Sequence, residues 1–151
     1  MIDPALCLPL LEEFPAAGRW VIAYSGGIDS HVLLHLCARL RAERPGVPEL
    51  LALHVNHGVH EDADAWAAHC AAVCAALGVR FLARPAGLPP QPAGERRSEE
   101  LLRGARYRIF EEYCGPGDLL LLAHHRDDQA ETVLLRLLRG AGVAGLAGMP
   151  R

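Results

Sequence analysis

The hexapeptide SGGIDS at residues 25–30 combines residue types that bind phosphate groups. Gly26 and Gly27 allow a tight turn that brings main-chain N–H groups close to an anion. Ser25 and Ser30 add hydroxyl donors, and a helical pattern begins directly afterwards, so the positive end of a helix would face the same anion. The hexapeptide therefore predicts a phosphate-binding turn between a strand and a helix.

Asp29 lies in the middle of this turn, where a site for a bare anion would exclude a carboxylate. Its presence predicts that the turn binds phosphates together with Mg²⁺, which Asp29 would hold. The Walker pattern is excluded because it requires lysine, and all 15 basic residues of the chain are arginine. A plain glycine-rich turn in which Asp29 caps the helix is the alternative.

The segment HHRDDQAET at residues 124–132 contains acidic residues that could belong to a functional site. Asp128 and Glu131 are three residues apart, so their carboxylates share one face of a predicted helix, close to His124 in sequence. The same two carboxylates could instead do no more than complement the helix dipole. Both interpretations are open on local sequence alone.

Two other polar segments allow a functional and a structural interpretation. In EELLRGARY at 99–107, Arg103 could belong to a functional site or form a surface ion pair with Glu99. In HVNHGVH at 54–60, three histidines recur at every third residue, but a strand end followed by a turn would not point them all at one metal. A metal site at these histidines is therefore disfavoured.

The elements that must position these residues alternate between strand and helix patterns. Short apolar runs predict buried parallel strands at residues 20–24, 50–55, 79–83 and 118–123. Helical spacing predicts helices at about 4–14, 29–44, 61–77, 98–113 and 127–139, and a proline-rich loop occupies 84–97. The alternation predicts an α/β fold with a parallel sheet of about four strands and helices on both faces. Ligands would bind at the carboxyl ends of the strands, where the polar segments lie.

Composition limits the class of protein. The 151 residues, 51% of them hydrophobic, suit one globular domain. The formal net charge of −3 gives no global basic field, so RNA contact would need a local arginine patch or protein outside this chain. An odd number of cysteines and no signal sequence or long apolar run predict a reduced, cytoplasmic protein without a membrane role. Cys70 and Cys74, one helical turn apart, are expected in the core.

The turn resembles the SGGxDS pyrophosphate loop (PP-loop) of the ATP pyrophosphatases, which split ATP between its α and β phosphates. With HVNHG, EELLRGARY, HHRDDQAET and the RGAGVAGLAGM segment at 139–149, the order and spacing are similar to those of the bacterial tRNA(Ile)-lysidine synthetases. The resemblance covers about residues 18–149 and implies an adenine nucleotide alpha hydrolase-like fold. Leu102 is a departure, because the family usually has alanine there.

The resemblance also implies roles for individual residues. The implied ligands of ATP and its phosphates are Ser25, Gly26, Gly27, Ile28, Asp29, Ser30, Val55 and Asn56. The implied catalytic residues are Asp29, Arg103, His124 and Asp128. Asp128 and Glu131 would receive free L-lysine, and Asp29 would hold Mg²⁺. His124 or a carboxylate could accept a proton from the lysine amine.

The implied function is that of a tRNA(Ile)-lysidine synthetase, a ligase. Such an enzyme uses ATP to join free lysine to C2 of the wobble cytidine in tRNA(Ile) with a CAU anticodon. It proceeds through an adenylated intermediate and releases AMP and pyrophosphate. The resemblance leaves a homodimer open. Because family members continue beyond the position of Arg151, we expect a catalytic domain that ends early and lacks C-terminal tRNA-binding domains.

Two alternatives stand beside this function. A PP-loop tRNA cytidine thiolase shares the loop and a similar HHxDD segment, but it uses a CxxC pair, and the spacing of Cys70 and Cys74 is CxxxC. A module that binds ATP without turnover is the other alternative. It would not be expected to keep Asp29, Arg103 and the two acidic residues of the 124–132 segment together.

Overall fold

The computed structural model describes residues 2–58, 61–89 and 97–123. A 3-10 helix at Pro4–Cys7 leads into α1 (Leu8–Glu13), β1 (Arg19–Ala23), α2 (Ile28–Glu43), β2 (Glu49–Asn56), α3 (Ala63–Ala76), β3 (Arg80–Pro85), α4 (Glu99–Tyr113) and β4 (Asp118–Leu121). The predicted strands and the first four predicted helices are confirmed. The helix predicted at 127–139 lies outside the described residues. Within the described ranges, no helix has the length and apolarity that crossing a membrane requires.

The four strands form one parallel sheet with the order β3-β2-β1-β4. In the register, Ile22 of β1 lies between Ala52 of β2 and Leu121 of β4. The chain moves outward from β1 through β2 to β3 and then returns to the opposite side of β1. The strand order therefore reverses at β1, and sheets of this class bind ligands at the carboxyl edge of such a switch point.

Successive residues of each strand face opposite layers of helices. Ile22 packs in one core with Leu34 of α2 and Cys74 of α3. Val21 packs in the other core with Phe110 of α4. Ile22 and Val21 are fully buried, and each burial contributes about 1.5–3 kcal/mol. The predicted α/β fold with helices on both faces is therefore confirmed.

Local contacts determine where β3 ends and where α4 begins. β3 extends to Pro85 because its pairing with β2 continues to the partners Asn56 and Pro85. The proline-rich loop predicted from residue 84 therefore begins later, and residues 90–96 lie outside the described ranges. α4 begins after Ser98, whose Oγ accepts a hydrogen bond of 3.2 Å from the Leu101 N–H.

The amino-terminal edge of the sheet is held by a salt bridge far from the predicted site. Arg19 of β1 and Asp118 of β4 are partners in the register and form an ion pair. Arg19 Nε donates to Asp118 Oδ1 at 3.2 Å, and Arg19 Nη2 donates to the Tyr113 carbonyl at 3.1 Å. These contacts fix β4 beside β1, which brings the carboxyl ends of both strands to the same edge.

Candidate functional site

The SGGIDS turn connects the carboxyl end of β1 to the start of α2, at the switch point of the sheet. Gly27 is the N-cap residue of α2, with extended φ and ψ of −69° and 162° and no side-chain cap. The first N–H groups of a helix have no acceptor within the helix. The turn therefore directs main-chain donors and the positive end of α2 to the carboxyl edge, as the sequence predicts for a phosphate site.

Gly26 has a backbone conformation and a packing environment that only glycine fits. Its φ of +82° lies in the left-handed region. A Cβ atom at this position would lie 2.6 Å from both Cys70 Sγ and Trp66 Nε1. The turn is therefore pressed against α3, and any side chain at residue 26 would displace it.

The two serine hydroxyls stabilise the turn through a closed ring of hydrogen bonds. Ser30 Oγ donates to the Gly27 carbonyl at 2.9 Å, and the Gly27 N–H donates to Ser25 Oγ at 3.2 Å. Since the single proton of Ser30 is used, Ser25 is the donor in the 3.0 Å contact between the two Oγ atoms. Ser30 is buried and Ser25 is exposed. Their predicted contact with phosphate is not tested and stays a prediction.

Asp29 and Ile28 form the exposed first turn of α2. Ile28 is 79% exposed, so its side chain contributes little to the core. Asp29 lies in the first turn of α2, directly after the turn in which only glycine fits at position 26. An exposed carboxylate next to a phosphate cradle suits Mg²⁺, which binds one or two carboxylates together with substrate phosphates. Within the described residues, no group of three or more His, Cys, Asp or Glu could hold a metal.

Trp66 and Cys70 of α3 contact the turn, although the sequence predicts neither of them as a site residue. Trp66 Nε1 donates a 3.0 Å hydrogen bond to the Ser25 carbonyl. The only sequence signal was a tryptophan one helical turn before Cys70, on the same helix face. The prediction that Cys70 and Cys74 are core residues is confirmed, since both thiols are free and fully buried. Burial raises the pKa of Cys74 to about 11, so the thiol is protonated at neutral pH.

His54 and Tyr24 connect β2 to the residue that precedes the turn. The buried His54 ring donates from Nδ1 to the Tyr24 carbonyl at 2.8 Å. Tyr24 is itself buried, which raises the pKa of its phenol to about 12. Its hydroxyl forms a 2.9 Å hydrogen bond with Nδ1 of His31 on α2. His54 therefore has a structural partner, while His60 lies outside the described residues.

Val55 and Asn56 form the carboxyl end of β2, next to β1 in the sheet. The Val55 side chain is buried in the core beneath α4. Asn56 Nδ2 donates to Asp64 Oδ1 of α3 at 3.0 Å, and Asn56 Oδ1 accepts from the Gly58 N–H at 2.8 Å. Because both side chains are engaged in the fold, only main-chain groups fit the predicted contact with adenine, which is still untested.

Arg103 lies on α4, half-buried, with its guanidinium 5.5 Å from the centre of the Tyr107 ring. The alternative ion pair with Glu99 does not form among the described residues. Buried donors Arg103 Nη2 and Arg106 Nε have no hydrogen-bond partner in the part of the chain that the structure describes. Unsatisfied cationic donors of this kind are suited to an anion.

His57 follows the end of β2 and lies near Arg106. Its pKa is lowered, mainly by burial and then by the positive charges of Arg106 and other neighbours. His57 Nδ1 and the Tyr107 hydroxyl are also buried without a partner among residues 2–58, 61–89 and 97–123. The carboxyl edge thus has a second group of side chains suited to an anion, of which the sequence predicts only Arg103 as a site residue. The predicted site residues His124, Asp128 and Glu131 lie outside the described residues.

Most of the chain matches known proteins. A family model described as PP-loop domain matches residues 7–151. A tRNA(Ile)-lysidine synthase of Pseudomonas syringae pv. tomato is 51% identical over 147 residues, which is 97% of this chain and 32% of that protein. A tRNA(Ile)-lysidine synthase of Burkholderia mallei is 53% identical over 141 residues, covering 92% of this chain and 28% of that protein. The chain spans about a third of the length of the curated relatives it matches.

A solved structure shares the fold at low sequence identity. It is the U34-tRNA thiolase NcsA from Methanococcus maripaludis with its [4Fe-4S] cluster, with a TM-score of 0.71 and 22% identity. The match covers 90% of this chain and 48% of the thiolase chain. At that identity the likeness shows the fold alone, and it confirms the α/β architecture.

Proposed function

We propose that this chain, which belongs to the PP-loop domain family of ATP-binding proteins, carries the ATP-using site of a tRNA(Ile)-lysidine synthase. The substrates would be ATP, free L-lysine and the wobble cytidine of tRNA(Ile) with a CAU anticodon. The products would be lysidine, AMP and pyrophosphate. The curated relatives of this name support the proposal, since they are 44–53% identical over most of the chain.

One structural observation carries the proposal. The SGGIDS turn lies at the switch point of a β3-β2-β1-β4 sheet and presents a glycine cradle, the start of α2 and an exposed acid together. A cradle of main-chain N–H groups alone would suit any phosphate. The addition of Asp29 favours a polyphosphate that arrives with Mg²⁺, as ATP does. When bound, that ion would neutralise phosphate charge.

In the first proposed step, the C2 oxygen of the cytidine attacks the α phosphorus of ATP. A bond forms between that oxygen and phosphorus as the bond to pyrophosphate breaks. The turn would hold the departing pyrophosphate, and Arg103 would stabilise the negative charge that develops on the phosphate oxygens. The orphaned Arg103 Nη2 supports this role, because an anion would give it the partner that the described residues do not provide.

In the second proposed step, the neutral ε-amine of lysine attacks C2 of the adenylated base and displaces AMP. Asp128 and Glu131 would bind free lysine, and His124 or a carboxylate would accept the proton that the amine loses. In sequence these residues follow β4, whose carboxyl end lies next to that of β1. The adjacency of the two strands supports the proposal that both steps share one edge of the sheet.

Specific observations support the cytidine thiolase and the ATP-binding module less well than the ligase. The cytidine thiolase would need reactive cysteines at the site, but Cys70 and Cys74 are spaced CxxxC, fully buried and have raised pKa values. An ATP-binding module without turnover would not need the unsatisfied Arg103 or the exposed Asp29. We therefore keep the ligase as the proposed function.

The direct test supplies radiolabelled lysine, ATP and unmodified tRNA(Ile). It uses the chain itself and a chimera in which the chain replaces the matching third of the Pseudomonas syringae relative. We expect the chimera to transfer label to the tRNA and to release AMP in equal amount. Release of ADP, or no transfer by a chimera that unfolds cooperatively and binds ATP, would contradict the ligase.

Replacing Asp29 with asparagine in the same chimera tests its role. We expect AMP release to fall by about a hundredfold or more, since a group that neutralises charge in the transition state is lost. The exposed position of Asp29 predicts an unchanged melting temperature. The matched control is Glu43→Gln, which removes an exposed acid at the opposite end of the same helix. Equal rates for the two variants would exclude Asp29 from the mechanism.

A further inference from the structure

We propose that Trp66 is a positioning residue for the SGGIDS turn, holding it in the shape that binds the pyrophosphate portion of ATP. The proposal rests on the proposed binding of ATP at this turn and adds a residue from a separate element, α3. Trp66 is 41 residues from Ser25 in sequence, so only the fold brings them together.

The first contact is the hydrogen bond from Trp66 Nε1 to the Ser25 carbonyl, at 3.0 Å. Ser25 is the first residue of the turn, and its peptide unit sets the direction in which the chain leaves β1. A fixed carbonyl at Ser25 also fixes the N–H of Gly26, which belongs to the same peptide plane. The indole therefore orients one of the main-chain donors of the proposed cradle.

The second contact is steric. The hydrogen side of Gly26 faces the indole so closely that a Cβ atom there would lie 2.6 Å from Trp66 Nε1 and 3.0 Å from Cε2. Gly26 therefore adopts its φ of +82° against a wall formed by Trp66 and Cys70. Cys70 has little room to move away from Gly26, because its thiol is fully buried in the core.

α3 is also attached to the end of β2, where adenine is predicted to bind. Asp64, two residues before Trp66, accepts the 3.0 Å hydrogen bond from Asn56. The first turns of α3 thus contact the phosphate turn through Trp66 and the proposed adenine edge through Asp64. This arrangement explains why an exposed tryptophan, 48% accessible, is placed at the edge of the site with its N–H directed inward.

A residue that acts through the shape of the turn should affect every ligand with a pyrophosphate and no ligand without one. A residue that stacks on the base would have the opposite effect. We therefore propose to measure binding of three probes by calorimetry in the presence of Mg²⁺, namely inorganic pyrophosphate, ATP and adenosine. None of these measurements requires tRNA or lysine.

The variant is Trp66→Phe, which keeps an aromatic ring against Gly26 but has no N–H for Ser25. We expect about fivefold weaker binding of pyrophosphate and of ATP, which is the effect of losing one ordinary hydrogen bond. Adenosine should bind with unchanged affinity. The matched control is His69→Ala, since His69 is exposed, its ring centre lies 5.7 Å from that of Trp66, and among the described residues it has no hydrogen bond to the turn. It should leave all three affinities unchanged.

Tryptophan emission gives a second measurement that does not depend on a variant. The chain has two tryptophans, and Trp20 is fully buried in the core, so it supplies a constant background. Pyrophosphate should change the emission of the wild-type chain, and adenosine should not. If Trp66→Phe fails to unfold cooperatively, the emission of the wild-type chain with pyrophosphate and with adenosine tests the role of Trp66 instead.

The outcomes separate the inference from the proposed function. Equal pyrophosphate affinity in wild type and Trp66→Phe, or a loss confined to adenosine, would overturn the positioning role. If the folded wild-type chain binds neither ATP nor pyrophosphate, the proposed function fails first. Parallel loss of pyrophosphate and ATP affinity with adenosine preserved would support the role of Trp66.

Discussion

Gly26 determines the shape of the PP-loop through two separate effects. Its φ of +82° requires the left-handed region, which costs a residue with a side chain about 1–2 kcal/mol. In addition, a Cβ atom would approach Cys70 and Trp66 to 2.6 Å. The first effect acts on stability alone, whereas the second would push the turn away from α3 and change the cradle.

A pair of glycine substitutions separates these effects. Gly46 has a φ of +90° but nothing within 4 Å of its Cβ position, so Gly46→Ala introduces only backbone strain. We expect Gly46→Ala to lose about 1 kcal/mol of unfolding free energy and no ATP affinity. Gly26→Ala should bind ATP at least about tenfold more weakly, because contacts with several donors depend on the turn. Calorimetry measures the ATP affinities, and urea unfolding measures the free energies of unfolding. Equal ATP affinities of the two variants would contradict the steric role of Gly26.

The sequence predicts that Gly26 and Gly27 form a tight turn, but it does not predict which residues pack against that turn. A turn with two glycines and a flanking helix is a local pattern, so the phosphate turn could be predicted from residues 25–30. Trp66 could not be predicted, because its contact with Ser25 depends on how α3 packs across β2 and β3. Burial of Cys70 and Cys74 was predictable, since their helical spacing is itself local.

Among the elements, β4 has the fewest residues in the sheet and depends on its contact with β1. The Arg19–Asp118 salt bridge lies at the amino ends of both strands and is only partly exposed, at 27% and 11% of the side chains. The Gly115 N–H also donates to Asp118 Oδ2 at 2.8 Å. The pair therefore stabilises the strand that leads to the proposed lysine-binding residues.

Asp118→Asn should make this contribution measurable through its pH dependence. The hydrogen bond from Arg19 lowers the pKa of Asp118 from its ordinary value. A carboxyl with a lowered folded-state pKa contributes stability that is complete above its unfolded pKa and is lost as the pH falls through the folded value. We expect the variant to lose about 1 kcal/mol at pH 7 and the difference to shrink below about pH 4.

Urea unfolding at several pH values measures this difference. The control is Glu43→Gln, because the Arg39–Glu43 pair is exposed on α2 and joined at 3.3 Å. An exposed pair of this kind contributes only about 0.3–0.5 kcal/mol. A pH-independent difference between wild type and Asp118→Asn would show that the ion pair does not stabilise β4.

The elements could be predicted to within a few residues because each buried strand is a short apolar run. β3 shows the limit of this approach. The sequence predicts its end at residue 83, whereas pairing with β2 carries it to Pro85, a residue that usually argues against a strand. The end of a strand depends on the length of the strand that pairs with it, which is distant in sequence. The strand order, which places the site at β1, follows from packing rather than from any single segment.

The charge of the whole molecule bears on its proposed RNA partner. The chain has 15 arginines against 18 acidic residues, and it spans about a third of the length of its relatives. Affinity for nucleic acid arises largely from basic side chains on phosphates. Among the residues that the structure describes, Arg97 and Arg106 lie near His57 at the carboxyl end of β2, and Arg103 lies on the same helix as Arg106.

We therefore expect the chain by itself to bind ATP but to bind unmodified tRNA(Ile) with a dissociation constant above about 10 µM at physiological salt. Fluorescence anisotropy of labelled tRNA measures this, with the Pseudomonas syringae relative as the reference. Binding should weaken further as salt is raised, with a slope that reports how few phosphates are contacted. Sub-micromolar binding would contradict this expectation. It would mean that the arginines of α4 form an RNA surface of their own, and replacing Arg106 with alanine would then reduce the slope by about one.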